Sequence, residues 1–201
     1  MRLTIPFLKI QIRLSFWFFA LFAFFTLLVE RHILLWYIAM PILVHELGHL
    51  IAMIGCSVKI REIDFTPVSL RIRGGGQGLS YGKELIVALG GVTANLGMAI
   101  FLWLFAFQSM RTMLLIAANL AVAAFNTMPV GGLDGGRVVS ALCARYLAPE
   151  TARLVPRLIG FAALAPLAAL SIFLIREGGG NFTLALICGY LAIQMILREW
   201  E

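Results

Sequence analysis

The chain has 201 residues, 61% of them hydrophobic and 13% charged, with a mean hydropathy of +0.95. A single soluble core of this size cannot hide so much apolar surface, which excludes an ordinary soluble domain and places the chain in a lipid bilayer. The net charge of +6 comes with no basic stripe interleaved with aromatics, so no nucleic-acid partner is expected; three cysteines without Cys-x-x-Cys spacing argue against a disulfide framework or a thiolate metal site.

Arg2, Lys9 and Arg13 precede the first long apolar run, Leu14–Val29. It lacks a small-residue cleavage site and reads as a retained span rather than a signal peptide. A bilayer crossing needs about 20 mostly apolar residues. By that measure further spans follow at Ile33–Gly55, Leu85–Phe107, Thr112–Val130, Leu158–Ile175 and Phe182–Leu197. Between the second and third, Val68–Arg73 alternates apolar and polar residues as a strand does, with Val58–Phe65 a weaker partner and Thr66-Pro67 the turn; Leu8–Arg13 alternates too. Two readings of these segments stay open: interfacial strands with apolar faces in lipid, or a sheet edge with a function. Gly74-Gly75-Gly76-Gln77-Gly78 reads as a flexible connector, since the continuation of a phosphate-binding loop is missing. The expected fold is an all-α polytopic membrane protein of about six transmembrane helices, the fourth broken, with short membrane-associated β segments.

Six spans put both termini on one side, and 13 of the 16 Lys and Arg fall there. Positive charge is retained in the cytoplasm, so the expected topology is N-in, C-in. The whole chain, 1–201, reads as one membrane-embedded domain, with no appended PDZ-like or CBS-like domain.

Few titratable groups lie deep in these spans, and each is costly there, on the order of 2.5 kcal/mol or more. In His45-Glu46-Leu47-Gly48-His49 the two histidines stand one helical turn apart on the same face, able to direct two imidazoles at one ion. Glu46 lies about 100° further round, near such an ion without binding it. This His-Glu-x-x-His spacing suits a zinc ion that polarises a carbonyl and a water while the glutamate moves the proton. The plainer reading is two satisfied core histidines with a chance glutamate between them. A catalytic zinc usually has three protein ligands. His32 is roughly 20 Å from His45 along the helix, which leaves Asp134, in a stretch where Pro129, Gly131 and Gly132 break the fourth span. Asp134 alternatively caps a helix over Gly135–Leu147, and both roles are compatible.

These residues resemble the site-2 protease family of intramembrane zinc metalloproteases, above all its compact, sporulation-type branch (stage IV sporulation protein FB-like). The resemblance rests on His45-Glu46-x-x-His49, on Gly91-Val-Thr-Ala-Asn95 in the next span, and on Asn126-x-x-Pro129 followed by Leu133-Asp134-Gly135. It covers about half the chain, from Val44 to Arg137. It implies one zinc ion per chain held by His45, His49 and Asp134, Glu46 as general base, and a membrane-associated protein substrate cut within or near the bilayer. By analogy that substrate is a membrane-tethered precursor of a transcription factor. Asn95 and Asn126 are then candidates to bind unwound substrate backbone; alternatively they only bond between helices, where Gly90, Gly91, Ala94 and Gly97 permit close packing. The Val68–Arg73 strand is a candidate for edge pairing with an extended substrate. Asn119, also in a span, has no assigned role. Expected partners are the substrate, the bilayer and a regulatory membrane protein, and the expected location is the bacterial cell membrane with the site toward the cytoplasm. A metal transporter and a catalytically silent scaffold are the competing classes; conduction needs polar groups strung along a path, and the outer halves of the spans offer almost none.

Overall fold

A computed structural model describes the backbone of residues 2–5, 10–14, 32–58, 60–65, 70–74, 80–106, 109–177 and 182–197. The span expected over 14–29 lies, beyond Leu14, outside the described residues, as do Gly75–Gly78 of the glycine connector. Two compact units divide the chain, Met1–Ala123 and Ala124–Glu201.

Among the described residues the first unit holds four strands, β1 (Arg2–Ile5), β2 (Ile10–Leu14), β3 (Ile60–Phe65) and β4 (Leu70–Gly74), in the order β1-β2-β3-β4. β1 with β2 and β3 with β4 are antiparallel, and β2 with β3 is parallel. The same unit holds α1 (His32–Gly55), α2 (Tyr81–Ala106) and most of α3 (Met110–Thr127). The second unit holds the end of α3 with α4 (Asp134–Tyr146), α5 (Pro149–Arg176) and α6 (Thr183–Leu197). Four of these helices are long and apolar enough to cross a membrane: α1 (as Trp36–Gly55), α2, α3 and α5. The apolar stretch of α6 is shorter.

Several helices outrun the apolar runs that announce them. α5 starts at Pro149 rather than near Leu158, taking in Arg153 and Arg157, and α2 includes Lys83 and Glu84. Charge ends a hydrocarbon crossing but not a helix; at 1.5 Å per residue the 28 residues of α5 reach about 42 Å, so the charged turns extend beyond about 30 Å of hydrocarbon. Pro149 sits at the start of α5, where its missing N–H costs nothing.

Exposure is inverted relative to a soluble protein. On α1, Trp36 (63% exposed), Leu47 (53%) and Ile51 (68%) face outward, while His45 and His49 are buried. Buried polar groups are tolerated only when hydrogen-bonded, so the interior of the first unit is organised around them.

α1 and α2 pack against each other. They approach backbone to backbone at Gly48 and Gly90: a Cβ at Gly48 would collide with the Gly90 carbonyl, and one at Gly90 would come within 2.7 Å of the Gly48 carbonyl oxygen. Close crossing at small residues is how helices associate where lipid removes the hydrophobic drive. Gly48→Val is therefore expected to force α1 and α2 apart, lowering stability by at least about 1–3 kcal/mol in an unfolding titration in detergent micelles. The second unit has a conventional apolar core of Val130, Leu133, Leu164, Cys188, Leu191 and Met195.

Candidate metal centre

His45 and His49 stand on one face of α1 with their rings 4.8 Å apart and nearly perpendicular, at 89°. Their Nε2 atoms face each other at 3.2 Å. What lies behind each ring decides the chemistry. His49 Nδ1 is 2.7 Å from the Val87 carbonyl oxygen, which only accepts, so Nδ1 carries the proton. His45 Nδ1 donates to Asn95 Oδ1 at 2.7 Å, because the Asn95 amide nitrogen is committed as donor to Pro41 O and to Asn119 Oδ1, both at 2.9 Å. In the neutral rings both protons are therefore held outward, and both Nε2 lone pairs converge on one point.

That arrangement fits a metal ion. Two nitrogens at about 2.0–2.1 Å from a tetrahedral zinc are separated by about 3.3 Å, close to the separation of these Nε2 atoms. The same point is flanked by Gly91 of α2, where a Cβ would come within 2.6 Å of His49 Nε2 and 2.7 Å of His45 Nε2. Gly91 keeps clear the space that an ion on the two imidazoles would need.

Asn95 and Asn119 are almost wholly buried, at 0% and 2% exposed. Asn119 donates from its amide nitrogen to the Leu115 carbonyl of its own helix at 2.8 Å. The role of Asn119, open in the sequence, is thus to accept from Asn95. The available signal was an amide amid apolar residues, which lipid or core obliges to find a partner. The Val87 carbonyl has no sequence signal at all, since every residue carries one.

Glu46 follows His45 on α1 and is half-buried. Asn126 is half-buried near the end of α3. In the second unit the helix breaks off after Thr127 and resumes at Asp134, with short backbone bonds from Val130 N to Met128 O (2.7 Å) and from Leu133 N to Val130 O (3.1 Å) shaping the turn. Gly132, at φ +106°, takes a conformation that side-chain-bearing residues rarely adopt. Asp134 is the first residue of α4 and the cap position belongs to Leu133, so the side-chain cap read from the sequence is not made. Asp134 is buried, and its Oδ1 lies 3.6 Å from Arg137 Nη1. A carboxylate in the first helical turn is favoured by the positive end of the helix dipole. Asp134 of the second unit, like His45 and His49 of the first, is buried and carries a donor type that zinc accepts.

No protein-family model matches the chain, and no curated protein matches it. Among solved structures, the site-2 protease from Methanocaldococcus jannaschii aligns with a TM-score of 0.67 over 98% of this chain and 94% of its own, at 19% identity. The fold is that of a site-2 protease. At this identity the fold is what the likeness shows.

Proposed function

We propose that the chain is an intramembrane zinc metalloendopeptidase that hydrolyses a peptide bond within or near the membrane segment of a membrane-associated protein. The observation that carries this reading is the pair of Nε2 lone pairs aimed at one point, 3.2 Å apart, with both ring protons fixed outward. The site-2 protease fold supports it, as does the order of motifs from His45 to Asp134. One zinc ion per chain would be held by His45, His49 and Asp134, and would supply Lewis-acid polarisation of the scissile carbonyl and a lowered pKa for an attacking water.

The remaining chemistry belongs to the chain. Glu46 takes a proton from the water as its oxygen bonds to the carbonyl carbon, then delivers it to the leaving nitrogen as the C–N bond breaks, leaving a carboxylate and an amine. Asn126 bonds substrate backbone freed by unwinding, for which an amide offers both donors and an acceptor. β4, the last strand in the sheet order, takes the extended substrate by edge addition. The excess of Lys and Arg on one side supports an N-in, C-in topology in a bacterial cell membrane, with the site opening toward the cytoplasm. The motif pattern of the compact, sporulation-type branch supports a role in regulated proteolysis, with a membrane protein as regulator.

Metal removal tests the reading. Cleavage of a co-reconstituted membrane-tethered substrate should stop on treatment with a membrane-permeant chelator and return on adding zinc. Asp134→Ala should bind less than one zinc per chain and stay inactive after zinc is restored. Undiminished cleavage by chelated protein would remove the metalloprotease assignment; full zinc occupancy in Asp134→Ala would remove Asp134 from the ligand set.

A further inference from the structure

We propose that Asn95 and Asn119 are positioning residues, forming an amide relay that sets the tautomer and orientation of His45. This rests on reading His45 as a metal ligand, but it concerns residues outside the ligand set.

The relay has one direction. Its far end is Asn119, whose amide nitrogen donates to the Leu115 carbonyl, so its Oδ1 is turned toward Asn95 and must accept. The Asn95 amide nitrogen has two hydrogens and two acceptors, Asn119 Oδ1 and Pro41 O. With both hydrogens used, Asn95 presents Oδ1 to His45, and an oxygen without a hydrogen requires the proton on His45 Nδ1. Neutral imidazole carries one proton, so His45 Nε2 keeps its lone pair on the side facing His49 Nε2. The Pro41 carbonyl, which can only accept, already holds Asn95 in this orientation, and Asn119 Oδ1 adds a second acceptor; losing the Leu115 bond would free the Asn119 amide to turn and weaken that hold. A flipped Asn95 would have to set its oxygen against the Pro41 carbonyl oxygen, which keeps the His45 proton on Nδ1 and off the position an ion would occupy.

Burial strengthens the device. Asn95 and Asn119 are 0% and 2% exposed, so no solvent competes for these bonds. Hydrogen bonds in such surroundings are stronger than in water, and an unpaired amide is correspondingly costly. The relay also spans three helices, from the Pro41 carbonyl on α1 through Asn95 on α2 to Asn119 on α3. His49 needs no such relay, because the carbonyl of Val87 has only one possible role. A partner that fixes the far nitrogen of a metal-bound histidine typically changes metal affinity 10–100-fold.

The experiment separates positioning from packing by measuring zinc affinity, through competition with a chelating dye, beside unfolding stability in the same detergent. Asn95→Leu should weaken zinc binding by about 10–100-fold. Asn119→Leu should weaken it in the same direction by less. Asn95→Asp loses the donations to Pro41 O and Asn119 Oδ1 but keeps an oxygen for His45 Nδ1, so it should lose stability as Asn95→Leu does while retaining near-normal zinc affinity. Thr93→Val removes a hydroxyl of α2 that bonds only its own helix and serves as the control. The relay is overturned if Asn95→Leu leaves zinc affinity within about threefold, or if Asn95→Asp loses as much affinity as Asn95→Leu. Ring-nitrogen chemical shifts of His45 in metal-free protein give a reading independent of metal binding. They should report the proton on Nδ1 in the unsubstituted protein; a proton on Nε2 overturns the relay even if the chain binds no zinc, whereas a failure to bind zinc with the Nδ1 proton in place counts against the proposed function alone.

Discussion

Glu46→Gln is expected to abolish peptide cleavage while leaving about one zinc per chain. The substitution is nearly isosteric, and Glu46 lies about 100° round α1 from His45, outside the face on which His45 and His49 meet. What changes is the capacity to take and return a proton, since an amide cannot act as a base at neutral pH. Removing a positioned general base costs about 10²–10⁴ in rate. The measurement pairs product formation from a co-reconstituted substrate with zinc content by mass spectrometry on the same preparation. Retained cleavage would remove the base; simultaneous loss of zinc would make Glu46 a ligand instead.

Gly91→Ala is expected to expel the ion without dismantling the helices. An alanine methyl at this position would stand 2.6 Å from both His45 Cε1 and His49 Nε2 and 2.7 Å from His45 Nε2, so either the rings or the metal must give way. Rotating either ring breaks its bond to Asn95 or Val87. Overpacking of this kind costs about 1–3 kcal/mol, which corresponds to about 5–150-fold in metal affinity. Helix propensity works the other way, because Ala favours a helix over Gly by about 1 kcal/mol. A control lies on the same helix: nothing stands within 4 Å of a Cβ built at Gly97. Gly97→Ala should therefore bind zinc normally, and equal zinc affinity in the two variants would show that Gly91 does not border the site.

The contrast between Gly91 and Gly97 marks where sequence reading stopped. Both stood out as small residues that permit close packing, yet one faces two imidazoles and the other open space. That distinction depends on how α1 and α2 cross, which no single helix encodes. His45, Glu46 and His49 were legible because their relation is local: four residues of helix put two imidazoles on one face. Asn95 was legible as a polar residue in an apolar run. Its hydrogen bonds, to His45, Pro41 and Asn119, were not, because all three partners are distant in sequence. The turn before Asp134 was announced by Pro129, Gly131 and Gly132, but the start of α4 fell one residue earlier than a capping aspartate would set it. Span limits drawn from charge were displaced for the reason seen in α5, where Arg153 and Arg157 belong to the helix that then crosses the apolar layer.

Zinc-edge X-ray absorption on the purified Glu46→Gln protein, kept intact with its ion, tests the central claim most directly. Two imidazole nitrogens and oxygen donors at about 2.0–2.2 Å are expected, with no sulfur, although Cys56, Cys143 and Cys188 are all free. A sulfur shell near 2.3 Å, or a spectrum without imidazole scattering, would place the ion elsewhere and contradict the account.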